Sequence, residues 1–281
     1  MLVANPVRDS PESSAPPILT VSNIKMSYRV GAVTVDAVDD VSFDIDAREK
    51  VMVIGPSGCG KSTVLKAVAG FLQPVAGEIQ FDGRQDLTPA PDRAVVFQEF
   101  DQLFPWRTVL DNVAYALRAT GTKGLEAKEQ AQSYVDLMGL QAAAHRYPHQ
   151  LSGGMKQRVA IARAIALQPK LLLMDEPFGS LDAITRTRLQ QELNKIVARA
   201  HIAVMFVTHS IQEALVVGDR IVVFSEPPSH VRDVIDIRHL SGPGDPQYVV
   251  VQRHLETLLG ATPPPSHQEG TVMSCVRSAG D

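Results

Sequence analysis

Apolar and polar residues follow different periods in successive parts of this chain. Between Ile18 and Ile45, short runs such as VTVDAV and VSFDI alternate apolar with polar positions, which predicts half-buried strands. Continuous apolar runs predict buried strands at 50–54, 170–174 and 203–207. Spacings of three and four residues predict helices at 62–70, 109–119, 126–138 and 155–167.

Strands that alternate with helices predict a parallel sheet. The expected fold class is α/β, with a parallel sheet in the core, an N-terminal antiparallel β region and an inserted α-helical subdomain at about 100–155. We expect the main domain to cover 18–225. The flanking segments, 1–17 and 226–281, are expected to be a disordered tail and a partly disordered extension, loosely ordered from 241 onward.

Composition narrows the class of protein. The 281 residues are 44% hydrophobic and 21% charged, with a net charge of -4, as in an ordinary globular protein without the basic face of a nucleic-acid binder. Cys59 and Cys275 have no metal-ligand spacing and fit a reducing cytoplasm. No signal peptide and no apolar run of about 18 residues is recognisable, so any membrane role is expected to depend on a partner.

Residues 55–62 read Gly-Pro-Ser-Gly-Cys-Gly-Lys-Ser, a phosphate-binding loop between a predicted strand and a predicted helix. The parallel sheet is therefore expected to belong to a P-loop nucleotide-binding core. Glycines let backbone N–H groups wrap a phosphate, and the helix N-terminus adds a favourable dipole. Lys61 supplies a positive charge for the outer phosphates, and the Ser62 hydroxyl is a ligand for Mg²⁺. We expect Cys59 to fill space without a redox role. The expected nucleotide contacts are Gly55, Ser57, Gly58, Cys59, Gly60, Lys61, Ser62 and Thr63.

The apolar run 171–174 ends in two carboxylates, Asp175 and Glu176. Carboxylates are rarely placed at the end of a buried strand for stability, because removing them from water is costly. Asp175 is placed to hold Mg²⁺, directly or through water, and Glu176 to polarise the attacking water as a general base. The alternative is a pair of solvent-exposed acids with no chemical role.

Further motifs give the chain a resemblance to a known family. The segment 151–158, Leu-Ser-Gly-Gly-Met-Lys-Gln-Arg, resembles the signature of the ABC ATPase family, with Met155 at a position where glutamine is commonest. The phosphate loop and the acidic strand end have the family's order. Four other residues resemble the glutamine loop, the D-loop (179–182), the switch histidine and the adenine-stacking aromatic residue of the family: Gln98, Asp182, His209 and Tyr28.

The resemblance implies a mechanism with ATP and Mg²⁺ as cofactors. Two copies would face each other head to tail with two ATP molecules between them. Each ATP would contact Lys61 and Ser62 of one copy and the signature residues Ser152, Gly153 and Gly154 of the other. Ser152 begins a helix, whose N–H groups favour a γ-phosphate. His209 would contact the γ-phosphate and Glu176, and Gln98 would sense the metal and the water.

Three of these residues have structural alternatives. A histidine after a buried strand can be purely structural, so His209 depends on the whole motif set. Tyr28 can be a strand residue packed in the core, and Asp182 can cap a helix. The capping and functional roles of Asp182 are compatible with each other.

The segment 99–112, which contains Leu-Phe-Pro-Trp-Arg-Thr-Val, resembles the ATPases of the nitrate, sulfonate and taurine importer family. In ABC importers this region and the helical insertion form a groove for a coupling helix of the membrane subunit, so Phe104 and Trp106 would anchor that helix with Arg107 at the rim. The alternative is that Phe104 and Trp106 pack inside the insertion. The stretch between Gln98 and Pro105 is one residue longer than in the commonest version.

The resemblance therefore implies the ATPase of an importer for a small anionic solute, peripheral on the cytoplasmic face of the membrane. Its partners would be a second copy, a membrane permease bound through 99–112 and, indirectly, a solute-binding protein, with no nucleic acid. An ATPase for export or lipoprotein release shares the catalytic motifs but not the Leu-Phe-Pro-Trp sequence. A soluble ABC protein of DNA repair or translation usually has two motor units or a coiled coil, and neither is found here.

Overall fold

The computed structural model describes residues 16–31, 33–98, 102–179 and 181–260. Most of the predicted N-terminal tail and the whole stretch 261–281, with Cys275 and the prolines at 263–265, lie outside the described residues. Residues 99–101 and Ser180 also lie outside them. Within the described part, no helix combines the length and apolar character needed to span a bilayer.

Strands and helices alternate along most of the described chain. The strands are β1 (Leu19–Val30), β2 (Val33–Ile45), β3 (Lys50–Ile54), β4 (Ala76–Phe81), β5 (Arg93–Val96), β6 (Leu171–Asp175), β7 (Ala203–Val207), β8 (Arg220–Phe224) and β9 (Val231–Asp236). The α-helices are α1 (Lys61–Val68), α2 (Val109–Ala119), α3 (Gly124–Leu137), α4 (Gly153–Ala166), α5 (Ala183–Ala200), α6 (Ile211–Val217) and α7 (Pro246–Leu258).

The strands form two sheets. The N-terminal sheet is antiparallel with the order β2-β1-β4, and the second sheet has the order β5-β6-β7-β3-β8-β9. All pairs in the second sheet are parallel except β8 with β9. This confirms the expected combination of a parallel core and an antiparallel β region. The sequence prediction did not include β4, β8 or β9.

Strand β3 lies between two hydrophobic clusters. Val51 and Val53 pack with the N-terminal sheet and α1, whereas Met52 and Ile54 pack with the helical layer on the other side. Both faces of the parallel sheet are therefore covered, which is why its central strands are continuous apolar runs. The carboxyl ends of β3, β6 and β7 meet at one edge of the sheet, where α/β proteins usually bind ligands.

Helices α2 and α3 form the inserted helical region, with α4 packed against them. The Thr108 side chain caps α2 by accepting a hydrogen bond from the Asp111 backbone N–H. Asn112, fully buried, donates to the carbonyl oxygens of Phe104, Arg107 and Thr108. One amide thus fixes the loop 104–108, since leaving that amide unpaired would be costly.

The C-terminal part of the chain is more regular than the sequence predicted. The expected loose order from residue 241 onward is wrong for 246–258, which form α7. Asp245 caps this helix, and Pro246 occupies its first turn. Tyr248 and Leu255 are buried; they are seven residues apart and therefore lie on the same face of the helix. Burial of these two side chains against the core stabilises α7, although the residues just before it, 241–244, are rich in glycine and proline.

Gly70, which ends α1, gives a stability prediction. Its φ is +84°, and a Cβ there would lie 2.2 Å from the carbonyl oxygen of Leu87. Gly83, with φ +75°, has no atom within 4 Å of an added Cβ. We expect Gly83→Ala to cost about 1–2 kcal/mol of left-handed strain. Gly70→Ala should cost clearly more, because a backbone oxygen must also move.

Urea unfolding of the two alanine variants measures this difference directly. Equal unfolding midpoints for Gly70→Ala and Gly83→Ala would show that the close approach of Leu87 to Gly70 does not constrain the fold.

Candidate functional site

The loop 55–60 joins β3 to α1 and curls in a way that only glycine adopts easily. Gly58 and Gly60 have φ of +76° and +89°. A Cβ at Gly60 would lie 2.6 Å from Cγ2 of Val38 in the N-terminal sheet. The two glycines therefore serve both the turn and the close packing of the sheet against the loop. This is the strand–loop–helix context that the phosphate-loop motif requires.

Lys61 lies inside this loop. Its side chain is buried, and its ammonium group donates to the carbonyl oxygens of Gly55 at 2.9 Å and Pro56 at 2.8 Å. The Cys59 sulfur is 3.7 Å from the same nitrogen and fully buried. Burial raises the pKa of the Cys59 thiol, despite the opposing effect of Lys61. The thiol is thus kept neutral, as suits a side chain that fills space.

Asp175 and Ser62 meet at the end of β6. The Ser62 hydroxyl donates to Oδ1 of Asp175 at 2.9 Å. Asp175 is only 5% exposed, and burial raises the pKa of its carboxyl, an effect that the hydrogen bond from Ser62 opposes. Removing a carboxylate from water favours its neutral form. A cation beside these two oxygens would favour the charged form.

Three predicted catalytic side chains converge at Glu176. Its Oε2 accepts a hydrogen bond from Gln98 Nε2 at 3.1 Å, and its Oε1 lies 3.2 Å from His209 Nδ1. The Glu176 backbone N–H donates to the carbonyl oxygen of Val207 at 2.9 Å. With φ of +42°, Glu176 has the left-handed backbone that non-glycine residues adopt rarely, mostly at sites where the surroundings enforce it.

The structure therefore groups six predicted residues at one edge of the sheet. Lys61 and Ser62 come from the loop after β3, and Asp175 and Glu176 from the end of β6. His209 comes from the loop after β7. Gln98 reaches the same group from the segment after β5. A buried carboxylate, a half-buried carboxylate and an ammonium group beside a glycine-rich loop suit phosphoryl transfer to water.

The signature residues Ser152, Gly153 and Gly154 form a separate feature. The Ser152 hydroxyl accepts from the Met155 N–H at 3.4 Å and caps α4. A Cβ at Gly154 would lie 2.6 Å from Cδ2 of Leu181. No hydrogen bond between described residues joins Ser152, Gly153 or Gly154 to the phosphate loop of the same chain.

Tyr28 and Asp182 are two of the three residues with structural alternatives. Tyr28 lies on β1 with half of its surface exposed, so the alternative that it packs in the core is wrong. Asp182 does cap α5, since its Oδ1 accepts from the Thr185 N–H at 3.0 Å. This hydrogen bond lowers the pKa of the Asp182 carboxyl. The nucleotide-contact role of Asp182 stays a prediction beside the cap.

Two buried polar residues near the site were not singled out from the sequence. Gln157 on α4 is 2% exposed and donates to the carbonyl oxygen of Phe97 at 3.3 Å, next to Gln98. Glu213 on α6 is 6% exposed and accepts from the Thr208 hydroxyl at 2.6 Å, next to His209. Neither residue has a local signal for burial. The only available hints were that Gln157 lies within the signature segment 151–158 and that Glu213 follows His209 by four residues.

A cluster of aromatic and basic side chains covers the start of the helical region. We define the aromatic surface as Phe104, Trp106, Arg107 and Tyr115. The rings of Phe104 and Tyr115 are 4.7 Å apart and those of Phe104 and Trp106 are 5.7 Å apart. The Arg107 guanidinium lies over Phe104 and Tyr115. Trp106 is 71% exposed, so the alternative that it packs inside the insertion is wrong for Trp106. Phe104, by contrast, is half-buried and packs on Tyr115 of α2.

Comparison with known proteins gives relatives over most of the chain. Residues 38–179 match the family described as ABC transporter. The chain is 45% identical over 239 residues to the taurine import ATP-binding protein TauB of Rhizobium johnstonii, covering 82% of this chain and 91% of that protein. It is 46% identical over 205 residues to the nitrate import ATP-binding protein NrtD of Synechococcus elongatus, covering 72% and 74%.

The fold is also similar to solved structures. One is the dimeric, post-hydrolysis state of the ATP-binding cassette MJ0796 bound to ADP and Pi, with a TM-score of 0.72 and 31% identity. The similarity covers 79% of this chain and 100% of that one. A second dimeric structure of the same cassette aligns with the same TM-score and 32% identity.

Proposed function

The chain belongs to the ABC transporter family and is an ATP-binding, ATP-hydrolysing subunit, and from this premise we propose that it energises an importer for a small anionic solute. Family membership confirms the resemblance drawn from the motifs. The observation that carries the chemical proposal is the convergence of Gln98 and His209 on Glu176, beside Asp175 and Ser62.

We propose that the residues at the carboxyl ends of the parallel strands have separate roles in ATP hydrolysis. Lys61 leaves the carbonyl oxygens of its own loop and binds the outer phosphates. Glu176 orients the attacking water and accepts its proton. His209, 3.2 Å from Glu176, contacts the γ-phosphate, and Gln98 holds the other carboxylate oxygen. Each of these groups acts by position and charge, as is usual for phosphoryl transfer.

The donors at the strand end fit Mg²⁺. Ser62 and Asp175 offer hard oxygen atoms, and Gln98 offers an amide oxygen. The part of the chain that the structure describes contains no group of three or more His, Cys, Asp or Glu side chains suited to a metal. Mg²⁺ does not need one, because it usually takes one or two protein oxygens and completes its shell with phosphate and water. When bound, it offsets phosphate charge.

A second copy of the chain would complete each site. Ser152, Gly153 and Gly154 present the N-terminus of α4 without contacting their own phosphate loop. A helix N-terminus of this kind favours a phosphate. Structurally similar cassettes form dimers, which supports placing the signature of one copy against the nucleotide of the other. ATP would then hold the copies together, and hydrolysis would loosen them.

Two similar proteins are named for import of taurine and nitrate, which supports import of a small anionic solute such as nitrate or a sulfonate. The solute would be selected by a solute-binding protein and a membrane permease. The chain would then lie at the cytoplasmic face of the membrane. An export or lipoprotein-release ATPase remains the second candidate, because it shares every catalytic motif.

Solute-dependent ATP hydrolysis separates import from export. With permease and solute-binding protein reconstituted in vesicles, we expect nitrate, taurine or an alkanesulfonate to stimulate hydrolysis by this chain only when the binding protein is present. Stimulation without any binding protein would favour the export candidate.

The aromatic surface provides a prediction about the permease. Trp106→Ala should reduce recovery of the membrane subunit by about tenfold or more, because exposed aromatic anchors often contribute 2 kcal/mol or more to binding. ATP hydrolysis by the isolated chain should not change. The measurement is co-purification in mild detergent, with Val250→Ala as the matched control, since Val250 is an exposed apolar residue of α7.

Recovery of the permease at the wild-type level with Trp106→Ala would place the docking site elsewhere. Equal loss with Val250→Ala would show that the effect is not specific to the aromatic surface.

A further inference from the structure

Glu213 is a buried carboxylate that lies between two functional segments. Its Oε2 accepts a hydrogen bond from the Thr208 hydroxyl at 2.6 Å, and its Oε1 lies 3.8 Å from the guanidinium Nε of Arg186. A carboxylate at 6% exposure is costly unless it is paired and hydrogen-bonded. Thr208 and Arg186 are therefore the partners that make this position tolerable.

The first partner, Thr208, fixes the backbone of the loop that contains His209. Its hydroxyl accepts from the Ser210 backbone N–H at 3.0 Å while donating to Glu213. The loop is thus fixed on both sides of His209. The His209 side chain itself is 65% exposed and touches Glu176 through one contact. Because packing does not hold the imidazole, its position depends on the backbone that Thr208 and Ser210 fix.

The second partner, Arg186, controls the segment Leu181–Asp182. Its guanidinium donates to the Leu181 carbonyl oxygen at 2.9 Å, and its backbone N–H donates to the Asp182 carbonyl oxygen. Leu181 in turn packs closely against Gly154 at the start of α4. The Leu181–Asp182 segment is therefore in contact with the signature, which in the proposed dimer faces the nucleotide of the second copy.

We propose that Glu213 is a positioning residue that couples His209 to the Leu181–Asp182 segment. This inference rests on the proposed dimer. Through Thr208, Glu213 holds the residue expected to contact this chain's γ-phosphate. Through Arg186, it holds the segment that adjoins the partner's nucleotide. A change at either site would reach the other through three side chains in direct succession.

Arg186 and Glu213 form an ion pair that is too long for a hydrogen bond in this structure. The Arg186 Nε is buried and has no hydrogen-bond partner among the described residues, and the Glu213 oxygen is 3.8 Å away. An approach of about 0.6–1 Å between α5 and α6 would complete this hydrogen bond. An unsatisfied buried donor favours such an approach.

The test compares two isosteric substitutions in the full-length chain. Glu213→Gln keeps an oxygen for Thr208 but removes the charge facing Arg186, and Thr208→Val removes the hydroxyl. Coupling mutations commonly change equilibria by about 3- to 30-fold. We expect each variant to lower kcat in that range, with the KM for ATP within about twofold. The Hill coefficient for ATP should fall from near two toward one, since two coupled sites set its maximum.

Three controls make the result specific. Glu192→Gln changes a half-buried glutamate of α5 that pairs with the exposed Arg188, and it should leave both kcat and the Hill coefficient unchanged. Thr208→Ser should retain more activity and cooperativity than Thr208→Val, because it keeps the hydroxyl. Urea unfolding reports whether each variant is folded, and rates are expressed per folded molecule.

Wild-type kcat and Hill coefficient in both Glu213→Gln and Thr208→Val would overturn the inference, as would a loss of stability alone. If the wild-type chain hydrolyses ATP with a Hill coefficient of one, the coupling and the proposed dimer both fail. If the wild type is cooperative and the variants match it, only the role of Glu213 fails.

Discussion

Glu176→Gln is expected to lower the turnover number for ATP by about 10²–10⁴-fold, the usual contribution of a general base. Gln keeps the size of the side chain and an oxygen that can accept from Gln98, which now donates at 3.1 Å. It cannot accept a proton from water. ATP affinity should stay within about threefold, because the lost interaction is made in the transition state.

Steady-state hydrolysis and calorimetric ATP binding are measured on the same preparation. Glu129→Gln is the matched control, since Glu129 is an exposed glutamate of α3 far in sequence from the site. Turnover within a few-fold of wild type would remove Glu176 from the role of base. A parallel loss of ATP affinity would instead indicate a role in binding.

Lys61→Ala is expected to weaken ATP binding by about 10- to 100-fold, since a hydrogen bond to a charged group contributes about 1.5–3 kcal/mol. The Lys61 ammonium group is buried and already surrounded by the carbonyl oxygens of Gly55 and Pro56. It is therefore held within the phosphate loop, and it exchanges these carbonyl oxygens for phosphate oxygens when ATP binds. Alanine removes the only charge that this loop contributes to the phosphates.

Calorimetry with ATP and Mg²⁺ measures the affinity, and urea unfolding establishes that the variant is folded. Lys66→Ala is the matched control, because Lys66 lies on the same helix but is exposed. Unchanged affinity in a folded Lys61→Ala protein would contradict the assignment of 55–62 as the phosphate loop.

The sequence predicted which side chains meet at the strand ends better than it predicted the outer parts of the fold. Phosphate loops depend on local constraints, such as the positive φ of Gly58 and Gly60, and these leave a readable pattern. The strand ends could be placed for a similar reason, because a buried apolar run stops where Asp175 begins. Parallel pairing then brings the ends of β3 and β6 to one edge.

The missed elements lack such local constraints. Helix α7 buries only Tyr248 and Leu255, while Val249 and Val250 are exposed, so its apolar pattern does not indicate which face is inside. Its stability comes from docking onto distant parts of the chain. Sequence periodicity does not report that kind of contact.

The buried polar links were also beyond sequence reasoning. Gln157 reaches a carbonyl oxygen 60 residues earlier, at Phe97. Arg186 on α5 faces Glu213 on α6, 27 residues later in the chain. A polar residue becomes buried only when a distant partner satisfies it, and a single sequence does not identify the partner. The exposure of Tyr28 and Trp106 also depends on how distant parts of the chain pack, so the sequence alone left it open.

The most direct test of the central claim is to identify what binds this chain in native membranes. Tagged protein is extracted in mild detergent, and the proteins that co-purify are identified by mass spectrometry. We predict a membrane subunit with several apolar spans, together with a secreted solute-binding protein encoded at the same locus. Recovery of a soluble complex without any membrane subunit would contradict the transport function and leave only the ATPase chemistry.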